Sequence, residues 1–159
     1  MDWVLDAERA YVAIAMKQPA VTLALPRDQH LAAAGAVASR YLAVGTPRSL
    51  AVIGNGPLSI EAHKTWFAPT DLRSTTGLPG TRQVPLAEAL TADIVCIHEP
   101  LVIPAGALRR GTHVNALATV ALPTDLVAQR YDEATDLPAL AAGLIDGRTL
   151  DEITIFTAS

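Results

Sequence analysis

Apolar residues in this chain follow two rhythms, a helical one and a short-run one, and their alternation is the first sign of architecture. Over residues 1–18, "MDWVLDAERAYVAIAMKQ", apolar side chains stand at positions 3, 4, 5, 7, 11, 12, 14 and 15 without Gly or Pro. Asp2 and Asp6 lie near the start and Lys17 near the end, as a helix dipole prefers, so a helix is predicted. Its apolar set is wider than one stripe. Two readings follow: a subunit contact through Trp3, Tyr11 and Ile14, or a core helix of its own domain. "VTLAL" reads as a short strand or an extended linker. Pro26 and Asp28 then open a second helix, "RDQHLAAAGAVASRYLAVG", with Gly45 as its expected stop.

From residue 49 the short runs take over. "SLAVIG" is a buried strand ending in glycine, and the helix "PLSIEAHKTWF" follows at once, which is the opening of a βαβ unit. "DLRSTTG" is the next strand, and "LPGTRQV" a loop leading to a possible short strand. The helix "PLAEALT" and the strands "ADIVCIHE", "THVNALA" and "EITIFTA" complete the series. Between them a helical turn is expected around residues 105–110, and "PTDLVAQRY" and "DLPALAAGLIDG" read as helices. The pattern predicts an α/β fold: a single trimmed Rossmann-like domain over residues 26–159, its mostly parallel sheet carrying helices on both faces. Residues 1–25 add the N-terminal helix and linker.

Composition agrees with one folded domain. The 159 residues are 50% apolar, 18% charged and 4% aromatic, far from the disordered regime. A net charge of −4, with basic residues scattered except at Arg109 and Arg110, argues against a nucleic-acid partner. No apolar run is long enough to span a bilayer and the N-terminus lacks a basic region, so a cytoplasmic protein without a membrane partner is expected. Cys96 stands alone inside an apolar strand and is read as core packing rather than a reactive thiol.

Candidate chemistry centres on "GNGPLS". In a dinucleotide turn one glycine allows the tight bend, a second lets the backbone approach the pyrophosphate, and a third packs helix on strand. Gly54 and Gly56 fill the first two roles and Ser59 is small enough for the third; Asn55 and Leu58 complete the turn. Pro57 removes one amide from the helix N-terminus, though proline is at home there. The turn is thus either a dinucleotide site or a capped helix without a ligand. An acidic residue about 20 positions on, or an arginine for NADP, would read the ribose. That region holds Arg73, with Asp71 too early. His98 and Glu99 end a strand at the carboxyl edge, where ligands bind in open α/β sheets, and are the catalytic candidates. His30 and His63 have no partner at metal-ligand spacing, so no metal is expected.

The ordered strings "LAAAGAVASRYLA", "LAVIGNGPLSIEAH", "ADIVCIHEP", "GTHVNALA" and "GRTLDEITIF" resemble the nucleotide-binding half of the ornithine cyclodeaminase and mu-crystallin family, over roughly residues 28–156. The resemblance implies NAD or NADP as cofactor and places His113 and Asn115 near the nicotinamide edge. It also implies a separate substrate domain, which this sequence would lack. The family's catalytic aspartate is expected where Ala118 and Thr119 stand. Gly54 and Asp93 lie too close for two complete helices and two strands, so one helix of the ordinary unit is expected to be missing. The implied function is a reduced member of the family, not a cyclodeaminase by itself, acting as a binding or interaction subunit. The alternative is a small NAD(P)-linked oxidoreductase or biosynthetic tailoring enzyme for an amino or imino acid, its pocket formed between subunits. A homo-oligomer through the N-terminal helix, or a partner protein, is expected in either case.

Overall fold

The computed structural model describes residues 2–19, 24–148 and 151–158, so "VTLAL" falls largely outside the described part. Seven parallel strands form the sheet. Ser49–Ile53 (β1) lies beside Asp71–Ser74 (β2) and then Arg82–Gln83 (β3). On its other side come Ile94–Ile97 (β4), His113–Ala116 (β6), Ile153–Thr157 (β9) and, at the edge, Ala128–Asp132 (β8). Leu101–Val102 (β5) and Val120–Ala121 (β7) make a separate two-stranded ribbon. The chain leaves β1 first towards β2 and later towards β4, so the order reverses between β1 and β4. A crevice opens at such a reversal, beyond the carboxyl ends of the strands.

Side chains alternate between the two faces of the sheet. Leu50, Val52, Ile94, Cys96 and Phe156 face the helices Arg27–Leu42 (α2) and Pro57–His63 (α3), with Trp3–Ala15 (α1) and Asp136–Ala141 (α5) completing that layer. Ala51, Ile53, Val95, Ile97, Val114 and Ile155 face the other way, under the single turn Leu86–Ala89 (α4) and loop residues such as Ile103 and Leu126. Helices therefore lie on both faces, but unequally. Among the described residues no helix is long and apolar enough to cross a membrane.

α2 is enclosed almost all round, and its buried stretch is built from small residues, Ala32 to Ala34, Gly35, Ala36 and Ala38. These let the helix axis approach the sheet closely. At Gly35 a methyl group would stand 3.3 Å from the Asn115 side chain. α1 is capped by Asp2, which accepts from the amides of Val4 and Leu5 at 3.0 and 3.3 Å. It turns Val4, Ala7 and Tyr11 inward and leaves Ile14 and Met16 about half exposed. Glu8 accepts from Arg40 Nη1 and from the Tyr41 hydroxyl, and the Arg40 guanidinium lies 4.8 Å from the Trp66 ring centre. This cluster ties α1, α2 and the segment after α3 together.

Three expectations change. α2 ends at Leu42 without using Gly45: Arg148 donates through Nε to the Leu42 carbonyl at 2.7 Å and through its amide to that of Tyr41 at 3.0 Å. A distant cation satisfies the helix end, which no local motif could announce. Residues 105–110 form turns rather than a helical turn, because Leu101–Val102 pairs with β7. "PTDLVAQRY" is not a helix: Asp125 lies in a turn and Ala128–Asp132 pairs along β9 from end to end. Ladder hydrogen bonds to a long neighbour outweigh a weak helical pattern. The missing helix, by contrast, falls between β2 and β3. There a turn is held by Ser74 Oγ, which accepts from the amides of Gly77 and Leu78 at 3.0 and 2.8 Å.

A methyl group at Gly147 would stand 2.3 Å from the Tyr41 carbonyl oxygen, whereas nothing lies within 4 Å of one at Gly45. Gly147→Ala is expected to cost about 1–3 kcal/mol in urea unfolding, and Gly45→Ala less than about 0.5 kcal/mol. Equal effects would show that the contact with the α2 C-terminus is not needed.

Candidate functional site

The crevice between β1 and β4 is floored by the glycine turn. Gly54 turns the chain at φ 89°, Gly56 precedes α3, and Pro57 is the first helical residue. β4 ends at Ile97, so strand alternation no longer separates the two residues that follow, and both reach the same turn. His98 lies against Gly56 so closely that a methyl group there would be 2.2–2.5 Å from its ring atoms. Its Nε2 is 2.6 Å from Ser59 Oγ, and burial holds its pKa below the ordinary value, keeping the ring neutral. Glu99 runs over Gly54, with side-chain carbons 3.2–3.3 Å from where a Cβ would be. Gly56 is therefore glycine to admit the chain's own imidazole.

The turn differs from an open pyrophosphate cradle. His98 lies on Gly56, the Glu99 side chain lies on Gly54, and Pro57 offers no amide. The ribose position is also changed. Thr75, 21 residues beyond Gly54, receives the Gly54 amide on Oγ1 at 3.2 Å, and Thr76 donates to the Gly54 carbonyl at 3.5 Å. A search for acids or arginines overlooks these threonines, yet the 20-residue spacing leads to them. Arg73 is engaged elsewhere, with Asp71 at 2.9 Å, the Glu88 carbonyl at 2.9 Å and Thr91 Oγ1 at 3.0 Å. Asn55 is exposed, while the Leu58 side chain packs with Val4, Ala32 and Ala36 beneath α1 and α2.

His113 and Asn115 point into the core beneath α2, and both are fully buried. They belong to a hydrogen-bonded chain whose polarity follows from its fixed ends. Ser59 O can only accept, so His63 Nδ1, at 2.7 Å, carries a proton and Nε2 accepts from Ser39 Oγ at 2.8 Å. Ser39 accepts in turn from Asn115 Nδ2 at 2.9 Å. Asn115 Oδ1 accepts from His113 Nε2 at 2.7 Å, and the Thr154 hydroxyl, with one proton, faces both His113 Nδ1 at 2.8 Å and the Leu42 carbonyl at 3.1 Å. Arg148 Nη2 donates to Thr154 Oγ1 at 3.1 Å. From Asn115 through Ser39 and His63 each link donates towards the backbone of Ser59, whose side chain holds His98. Burial lowers the pKa of His63 to about 4 and of His113 to about 3, and raises that of the Cys96 thiol to about 12. Cys96 is a core residue beside Asn115 and His63, and no group able to hold a metal is found among the described residues.

Fold and crevice define a Rossmann-like α/β protein with His98 and Glu99 seated on its glycine turn. No family model matches the chain, and neither does any curated protein. Among solved structures it is similar to an archaeal alanine dehydrogenase dimer with bound NAD, with a TM-score of 0.69 and 21% identity over 84% of this chain and 59% of that one. It is also similar to the iminosuccinate reductase of Paracoccus denitrificans in complex with NAD+ (TM-score 0.68, 18% identity, 84% of this chain, 58% of that). A probable ornithine cyclodeaminase from Bordetella pertussis Tohama I gives 0.65 and 22%, over 81% and 59%. The chain thus spans about three-fifths of the length of these structures and shares their fold there. Its fold resembles that group just as its ordered motifs do.

Both buried histidines have folded pKa values below the ordinary 6.5. Between pH 6.5 and 4 the unfolded chain binds protons that the folded chain refuses, so stability is full above pH 6.5 and is lost as pH falls. The expected slope approaches two protons, about 2.7 kcal/mol per pH unit. Urea unfolding between pH 7 and 4.5 measures it, and a slope below one proton would contradict the assignment of both rings as neutral.

Proposed function

We propose that this chain is a binding or interaction subunit on a Rossmann scaffold of the cyclodeaminase and mu-crystallin type, with its dinucleotide crevice closed by its own His98. The observation that carries this reading is the imidazole seated on Gly56 and bonded to Ser59. The replacement of a ribose-reading acid by Thr75, and Ala118 and Thr119 in the neighbourhood of the family's catalytic aspartate, point the same way. Turnover of ornithine is not expected of the chain by itself. Assembly belongs to this reading, through the N-terminal helix, beyond whose end Met16 is half exposed.

The second reading is an NAD(P)-linked oxidoreductase of amino or imino acids, with His98 and Glu99 at the reacting centre. It is favoured by the NAD carried in the similar alanine dehydrogenase and iminosuccinate reductase structures and by the retained Gly54 and Gly56.

Titration with NADH and with NADPH, followed by nicotinamide fluorescence, separates the two readings. The wild-type chain is expected to show no saturable binding up to about 1 mM, and His98→Gly to bind measurably better. Micromolar binding by the wild type, about −8 kcal/mol, would overturn the proposal.

A further inference from the structure

A second cleft lies away from the glycine turn, and its chemistry is independent of whether that turn is open. The carboxyl ends of β6, β9 and β8 meet the inner side of α1 and the start of α2 around a cavity of about 810 Å³, within the usual range of small-molecule sites. Three residues distant in sequence converge there. Glu133 Oε2 accepts from the Tyr11 hydroxyl at 2.7 Å and pairs with His30 Nε2 at 2.6 Å. Both contacts fall on one oxygen, and among the described residues Oε1 has no protein donor.

The lining carries oxygen and almost no nitrogen. Asp132, Thr119 and Thr157 add oxygens, while the one nitrogen-bearing side chain among the described lining residues is His30, whose Nε2 is already committed to Glu133. Among the described residues no Lys or Arg lines the cavity. Its remaining walls are apolar, with Ala116, Ala118 and Val120 on the sheet side and Ile14 at the mouth. A half-satisfied carboxylate at the end of an apolar cleft calls for a cationic donor with an alkyl body.

We propose that this cleft binds a small alkylammonium, its –NH3+ on Glu133 and its chain along Ala116, Ala118 and Ile14. It discriminates against the corresponding amino acid, because the one basic side chain in the described lining, His30, is already held by Glu133, and Asp132 and Glu133 would repel an α-carboxylate.

Pentan-1-amine and norleucine test this directly, since they differ only by the α-carboxylate. With the full 15N-labelled chain at pH 7, pentylammonium is expected to shift the amides of Ala118, Thr119 and Ala134 saturably, and norleucine to bind at least about tenfold more weakly. Tyr11→Phe, which removes one donor to Glu133 but keeps the carboxylate, is expected to retain binding. Glu133→Gln, with an otherwise unchanged spectrum, is expected to lose it. The proposal fails if pentylammonium gives no saturable shift up to about 10 mM, if norleucine binds as well or better, or if a folded Glu133→Gln binds like the wild type. Should that variant not fold, the wild-type comparison of the two compounds still decides.

Discussion

The hydrogen-bonded chain beneath α2 is the constraint to which most of the structure answers. It runs from Arg148 through Thr154, His113, Asn115, Ser39 and His63 to the backbone of Ser59, and so links β9, β6, α2 and α3 in one polar layer. Buried polar groups are costly unless each is satisfied, and a half-made chain would be worse than an apolar core. The small residues of α2, with Gly35 against Asn115, exist in this setting to bring Ser39 within reach. Arg148 serves twice, since the guanidinium that begins the chain also closes the C-terminus of α2.

The same layer fixes the crevice. His63 holds the Ser59 carbonyl while the Ser59 hydroxyl meets His98, so the residue that packs helix on strand also anchors the imidazole over Gly56. A glycine that reads as an invitation to a pyrophosphate becomes the seat of a histidine. The bend of Gly54 is kept, while the surface of Gly56 meets the chain's own imidazole. A separate cleft at the carboxyl ends of β6, β9 and β8 holds Glu133 between Tyr11 and His30.

Much of the fold was legible in the chain. Short apolar runs marked β1, β4, β6 and β9, and the glycine turn marked the start of the βαβ unit, because local hydrophobic period and turn chemistry act over a few residues. β8 was not legible, since its strand character comes from pairing with β9, and neither was the end of α2, stopped by a cation over a hundred residues away. At the site, His98 and Glu99 were placed correctly at the strand end, but their common reach over the turn depends on the chain having left β4. His113 and Asn115, read as ligand contacts, face α2 instead, and their burial follows from which side of β6 the helix covers.

Sequence by itself determined the class of architecture, the position of the glycine turn and the absence of a basic or disulfide-based design, because these rest on local pattern and composition. Only the tertiary structure decided what the polar residues do. His63, His113, Asn115, Ser39 and Thr154 are scattered singly along the chain, and nothing in their spacing marks them as one chain of donors and acceptors. Tyr11, His30 and Glu133 meet in the same way. Hydrogen bonds depend on distances of a few ångströms between side chains, and those distances are set by how helices dock on a sheet rather than by separation in sequence.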